Sequence, residues 1–239
     1  MSEVDLSGRV ILVTGASRGF GRAVAKALAP TGAHLVLTAR TQGALEELDD
    51  EIRAAGQGEP TLAPLDLTDV DAVNGLGAGL MGRFQRLDGL VHCAGALGVL
   101  SPVAHIKPEV MTGALELQVG VTQRLIASLD LPLRQSPAGR AVFVTCGHGR
   151  EGAPYWGAFA APRAAAEVLV RAYAAEVRTS ALKVNLFDPG PLATKLRREA
   201  YPGEAPGTQP DPATIAPEVP PLLAASCART GERISAAGR

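Results

Sequence analysis

Thr14-Gly15-Ala16-Ser17-Arg18-Gly19-Phe20-Gly21 follows directly on the apolar run Val10-Ile11-Leu12-Val13 and leads into an amphipathic stretch. A glycine triplet alone says little, but one set between a strand and the start of a helix says much more. Glycines there permit a tight turn and bring the backbone close to a phosphate. The helix N-terminus adds free N–H donors and the positive end of its dipole. The segment predicts a dinucleotide pyrophosphate held at the first βα turn of a parallel sheet, with Gly15, Ser17, Arg18, Gly19, Phe20 and Gly21 around it.

Outward from this turn, short apolar runs alternate with amphipathic ones, the pattern of βα units. Strands are expected over 10–14, 34–38, 61–65, 89–93, 141–145 and 183–187, with a short last one near Arg233. Helices are expected over 21–29, 42–55, 69–84, 108–128 in one or two pieces, a long one ending near Arg178, and 212–225. Parallel neighbours need right-handed crossovers. The fold class is therefore α/β: a single Rossmann-type, doubly wound domain over residues 1–239, with a mostly seven-stranded parallel sheet and helices on both faces. Residues 201–221, rich in Pro, Gly, Glu and Asp, read either as a surface loop or as a flap over a ligand cleft, entering the last helix near Pro212.

The second strand ends Thr38-Ala39-Arg40. A carboxylate there would take both ribose hydroxyls of NAD and repel a 2′-phosphate. Its absence, with guanidinium groups at Arg18 and Arg40 suited to a phosphate, favours NADP(H) over NAD(H). The bulk composition fits such a protein. With 239 residues, 46% apolar, 20% charged and a net charge of −1, the chain is expected to bind neither nucleic acid nor a membrane surface. No apolar run reaches the ~20 residues of a membrane span. The polar stretch 1–8 does not read as a signal peptide. Cys93, Cys146 and Cys227 are expected as free thiols in a cytoplasmic protein.

Thr-Gly-x-x-x-Gly-x-Gly is the spacing of the short-chain dehydrogenase/reductase family, and the chain resembles that family over nearly its whole length. Asp66-Leu67-Thr68 follows the third expected strand, His92-Cys93-Ala94-Gly95 closes the fourth, and Asp188-Pro189-Gly190-Pro191-Leu192-Ala193-Thr194 follows the sixth. The resemblance implies that Asp66, with Leu67 beside it, contacts the adenine and that Ala94 and Gly95 line its ribose. It implies that Pro189, Gly190, Leu192 and Thr194 meet the nicotinamide. Tyr155-Trp156-Gly157-Ala158 and Tyr201-Pro202-Gly203-Glu204 look most like a subgroup of bacterial members with no well-defined substrate.

The family's chemistry uses Asn, Ser, Tyr and Lys, the last two at i and i+4 on one helix face. The tyrosine passes the proton, its phenol tuned by the lysine and the cofactor. In Trp156-Gly157-Ala158-Phe159-Ala160-Ala161-Pro162-Arg163, phenylalanine stands for the tyrosine and arginine for the lysine. Cys146 occupies the serine position and Gln118 the asparagine position, so by the resemblance all four are replaced and Arg163 keeps only a ribose-binding role. A benzyl ring neither gives nor takes a proton. Pro162 suits the first turn of a helix, so this helix is expected to start late, with Phe159 and Arg163 on different faces.

These residues imply an NADP(H)-binding homologue without normal oxidoreductase chemistry, serving a binding, structural or regulatory role and holding a small-molecule ligand. The competing expectation is an atypical carbonyl reductase or alcohol dehydrogenase using Tyr155 or Cys146 as substitute donor. Cys146 and His148, two apart at a strand end, could face one way as a thiol–imidazole pair would, but a packed thiol and a loop histidine are expected instead. His92, Cys93, Cys146 and His148 invite a zinc reading, but adjacent strand residues point to opposite faces, so no metal is expected. The long helix through residues 164–175 is apolar on more than one face. Relatives pair this helix and the preceding long one, so a homodimer or homotetramer is expected through them.

Overall fold

In a computed structural model describing residues 4–149 and 152–236, the apolar runs become seven strands. These are β1 Val10–Thr14, β2 His34–Ala39, β3 Thr61–Pro64, β4 Gly89–His92, β5 Arg140–Val144, β6 Lys183–Asp188 and β7 Arg233–Ser235. They form one sheet in the order β3-β2-β1-β4-β5-β6-β7. Every pairing is parallel; β1 sets Val10 beside His34 on one side and Ile11 beside Gly89 on the other. The chain order reverses between β1 and β4, so a crevice opens beyond the C-terminal ends of those two strands.

Alternate residues of the strands feed two cores. Ile11, Val13, Leu35, Leu37 and Phe187 pack under α1 Gly19–Leu28 and α2 Gln42–Ala54, together with α8 Pro212–Ile215 and α9 Pro220–Leu223. Leu12, Val36, Leu90, Phe143 and Leu186 pack under α3 Val70–Phe84, α5 Val121–Gln135 and α6 Gly157–Glu176. Each fully buried leucine in such a layer contributes on the order of 1.5–3 kcal/mol. The doubly wound α/β architecture read from the sequence is thus the one observed.

The boundaries differ in instructive places. The first helix starts at Gly19 rather than at residue 21, so two loop glycines lie in its first turn. The helix expected over 108–128 continues to Gln135, because Pro132 is tolerated inside α5. It is one body, α4 Pro108–Leu115 running into α5 through a π turn at Glu116–Gly120. The stretch 212–225 is not one helix: Pro217, Pro220 and Pro221 divide it into α8, a 3₁₀ turn and α9.

The expected late start of α6 is overturned. The helix begins at Gly157 with Pro162 inside it. The Phe159 and Ala160 amides both donate to the Trp156 carbonyl, at 3.0 and 2.8 Å. A proline near the helix start removes one hydrogen bond without breaking the helix. Phe159 and Arg163 therefore do share a face, the guanidinium lying 5.6 Å from the ring centroid. A further short helix, α7 Lys195–Ala200, had no counterpart in the sequence reading.

Candidate functional site

The glycine loop is built against the neighbouring strand. Gly15 has a φ of +69°, and a Cβ there would lie 2.8 Å from the Ala94 amide nitrogen. A Cβ on Gly21 would lie 2.3 Å from the Gly15 carbonyl oxygen. Only glycine lets the turn and the helix start approach this closely. Arg18 takes the N-cap position of α1 in an extended conformation and places no side-chain cap on its amides. The first-turn donors are thus left for an anion. Gly19 faces Thr194, whose methyl would be 3.6 Å from an added Cβ. The loop after β6 consequently closes over the loop after β1.

Around this cradle, Arg18 and Arg40 are exposed, and among the described residues neither makes an ion pair. Asp66 forms a local turn, accepting from the Thr68 amide at 2.9 Å and its hydroxyl at 2.8 Å. These bonds, with the charge of Arg40, hold its carboxyl below the ordinary value. Leu67 and Leu192 are buried, whereas Gly95 lies at the surface. Asp188 accepts from the Gly190 amide at 2.9 Å and fixes the turn through Pro189, where Gly190 has a φ of +70°. Thr194 caps α7 by accepting from the Arg197 amide at 3.2 Å.

On the other side of the crevice the residues largely satisfy one another. Gln118 is buried within the π turn, a feature often found at functional sites. Cys146 follows β5. Phe159 is 4% exposed and covered by His148, Trp156 and Arg163. Arg163 donates to the Val144 carbonyl at 3.2 Å. Burial presses its guanidinium below the ordinary range, while nearby Cys146 and Glu167 favour the charged form. A hypothetical Cβ on Gly95 would lie 3.0 Å from the Arg163 Nη2, so this arginine reaches the loop after β4 that carries Ala94.

His92 does not turn toward a metal. Its Nδ1 is 2.7 Å from the Thr14 hydroxyl, and burial with the charge of Arg163 lowers its pKa to about 3, keeping the ring neutral. Burial also pushes the Cys93 thiol up to about 12. Among the described residues no group of three or more His, Cys, Asp or Glu side chains could hold a metal ion, and Cys93 and Cys227 are free thiols. Tyr155 is 60% exposed, with φ +72° and its carbonyl accepting from the Ser101 amide.

Two features escaped the sequence reading. The first is an aromatic cluster that brings residue 201 onto the crevice. His148 stacks on Trp156 at 3.9 Å, Tyr201 lies 5.7 Å from Trp156, and the Tyr201 hydroxyl is 3.5 Å from His148 Nε2. Arg197 sits 3.6 Å over the Tyr201 ring and is held by Glu204 through bonds of 2.9 and 2.7 Å, with Gln209 donating to the same carboxylate. The second is Glu167, buried on α6. The one acid in the apolar run 164–175 was the available signal. A separate polar cavity of about 540 Å³, lined by His34, Arg53, Glu59, Thr61 and Arg83, opens at the opposite edge of the sheet, where β2 and β3 begin.

The comparisons agree with this geometry. The uncharacterised oxidoreductase YciK of Escherichia coli K12 is 35% identical over 214 residues, covering 89% of this chain and 84% of that protein. A short-chain dehydrogenase of Salmonella enterica serovar Typhi CT18 superposes with a TM-score of 0.94 at 32% identity, over 99% of both chains. A chain of Escherichia coli CFT073, solved complexed with NADPH, superposes at 0.93 with 33% identity, over 99% of this chain and all of that one. No helix among the described residues is long and apolar enough to cross a membrane. The family model described as short chain dehydrogenase matches residues 9–205, and the chain belongs to that family.

Proposed function

We propose that this protein binds NADP(H) in the crevice between β1 and β4 but has lost the family's proton-transfer apparatus, so that it acts as a binding, structural or regulatory member. The carrying observation is the contrast within one crevice. Uncapped donors and exposed arginines that enter no ion pair among the described residues line one side, while a buried phenyl ring stands at residue 159 under Arg163 on the other.

The tight packing of Gly15 and Gly21 fits a pyrophosphate, and Arg18 with Arg40 fits a 2′-phosphate. Asp66 and Leu67 border the adenine, Ala94 and Gly95 the ribose, and Pro189, Gly190, Leu192 and Thr194 the nicotinamide. The NADPH held by the Escherichia coli CFT073 chain supports the same choice of cofactor. When bound, the dinucleotide supplies a hydride. Phe159 has no proton to match it, and Arg163 keeps a permanent positive charge beside the ribose. Gln118, Cys146, Phe159 and Arg163 thus replace the whole tetrad. The segment 201–221 acts as a flap whose Tyr201 closes on Trp156.

Isothermal titration tests the binding half: NADPH is expected to bind about tenfold or more tightly than NADH, a factor of one charge-assisted contact. Absence of binding by either overturns the proposal. A carbonyl panel tests the chemical half, with no NADPH oxidation expected. Turnover that disappears in Tyr155→Phe or Cys146→Ala would establish the second reading, an atypical reductase. The nearness of Cys146 to Arg163 favours the thiol over the solvent-exposed Tyr155 for that role.

The same reading extends to assembly. Ala161, Ala165, Val168, Ala172 and Ala175 form an exposed apolar stripe along α6, with Leu115 exposed on the helix before it. A second copy covers this stripe in a homodimer, and a second, different two-fold contact would pair two such dimers into a homotetramer.

A further inference from the structure

We infer that Glu167 is a positioning residue for the nicotinamide half of the site, acting through Arg233 and Asp188. This rests on the NADP(H) reading above and assigns a role to three residues that the family's catalytic set does not include.

Glu167 lies in the middle of α6 with its side chain 3% exposed. A buried carboxylate is retained only with strong partners. It has them from three elements. The Thr145 hydroxyl, at the end of β5 and one residue before Cys146, donates to Oε1 at 2.5 Å. Arg171, one turn further along α6, donates to Oε2 at 2.9 Å. Arg233, the first residue of β7, places Nε 3.5 Å from Oε1, an ion pair without a hydrogen bond. The same guanidinium reaches across with Nη2 to Asp188 Oδ2 at 2.9 Å. The other Asp188 oxygen accepts from the Gly190 amide.

The chain of contacts therefore runs from Thr145 through Glu167, Arg233 and Asp188 to the Pro189-Gly190 turn. Every link but Arg171 is buried or nearly so, the Arg233 and Asp188 side chains being 11% exposed each. Charges in so dry a setting tolerate little displacement, since a lost partner leaves a buried charge uncompensated. Cutting the chain at Glu167 leaves Arg233 with one carboxylate instead of two and frees the end of β5. Cutting it at Asp188 releases the turn. Either way the loop carrying Pro189 to Thr194 loses its fixed place, whereas Ser17, Arg18, Arg40 and Asp66 belong to other loops and take no part in the network.

That separation supplies the test. NADPH and 2′,5′-ADP, which carries only the adenosine half, are titrated into the full-length protein and into Glu167→Gln, Arg233→Met and Arg233→Lys. The expected result is NADPH binding weakened about tenfold in Glu167→Gln and Arg233→Met, the size of a coupling between neighbouring elements. Binding of 2′,5′-ADP should stay at the wild-type level. The fluorescence of the bound reduced nicotinamide should fall in the same two variants, and Arg233→Lys should recover most of both signals. Asp188→Asn breaks the Arg233 ion pair alone and gives the same pattern if Glu167→Gln does not fold. Unchanged NADPH affinity in folded variants overturns the inference, and so does a parallel loss of both ligands. A wild-type protein that binds 2′,5′-ADP and NADPH equally well also overturns it, whereas one that binds neither defeats the NADP(H) reading beneath it.

Discussion

The two sides of the crevice use the same kinds of residue to opposite effect. On the β1–α1 side, Arg18 and Arg40 face solvent and, among the described residues, enter no ion pair, and the amides of α1 have no side-chain cap. On the β5–α6 side, Arg163 is engaged by a carbonyl and a ring, Glu167 by a hydroxyl and two arginines, and His148 by Trp156. The exposed groups of the first side can exchange water for a ligand, whereas those of the second are mostly engaged by the fold, although the Arg163 Nε is buried without a hydrogen-bond partner among the described residues. The proposed function assigns ligand binding to the first side and no proton transfer to the second.

The sharpest way to break that comparison is to rebuild the second side. A quadruple variant carrying Gln118→Asn, Cys146→Ser, Phe159→Tyr and Arg163→Lys is expected to reduce simple carbonyls with NADPH roughly 10²–10⁴-fold faster than the wild type, the worth of a positioned acid–base set. Phe159→Tyr alone should gain less, because the phenol then lacks the neighbouring lysine that tunes it from ~10. Steady-state oxidation of NADPH followed by absorbance reads both. A wild-type rate equal to that of the quadruple variant would erase the distinction between the two sides.

The first side is attacked by one methyl group. Gly21→Ala puts a Cβ where the Gly15 carbonyl oxygen stands 2.3 Å away. Backbone must then shift, at a cost of about 1–3 kcal/mol, which weakens NADPH binding roughly tenfold to hundredfold. Gly43→Ala, with nothing within 4 Å of its added Cβ, is the matched control and should bind as the wild type does. Calorimetric titration of the two variants separates a site effect from a general tolerance of alanine.

Part of this comparison is legible in the amino-acid sequence itself. The strands, the parallel sheet with helices on both faces and the tight glycine turn were legible because each rests on local periodicity or on a residue type that admits one explanation. Gly15 and Gly21 are such residues. The start of α6 was misread because Pro162 signals a first turn in general, while here the Trp156 carbonyl gathers two amides and lets the helix begin five residues earlier. The Glu167 network was out of reach for another reason: Thr145, Glu167, Asp188 and Arg233 are separated by 22, 21 and 45 positions and meet only through sheet order. Tyr201 is the same case, a loop residue whose partner Trp156 lies 45 positions earlier.

The exposed stripe on α6 offers a smaller effect. Val168, 62% exposed, lies at its centre. Val168→Glu would place like charges close together across a two-fold contact, weakening association by about tenfold. Light scattering coupled to size exclusion should show the shift toward monomer, with NADPH affinity unchanged. A monomeric wild type would remove this face from the comparison and leave it as plain surface.

The smallest effect belongs to the latch that joins the two sides. Glu204 is held by Arg197 and Gln209, which lower its carboxyl from 4.5 to about 2. For a depressed pKa the stabilising contribution is fully present above the ordinary value and fades as pH falls toward the lowered one. The Arg197–Glu204 contact should therefore persist at neutral pH and weaken between about pH 4.5 and 2. Because the pair is at the surface, its effect is local. Amide exchange across residues 195–211 should quicken only a few-fold in Glu204→Gln at neutral pH. The emission of Trp156, the one tryptophan, should change with it as Tyr201 loosens. In the wild type the same emission change should arise on acidification through that window, and the Gln variant should lack that step. Equal exchange in both proteins would mean that the aromatic contacts alone hold Tyr201 against Trp156.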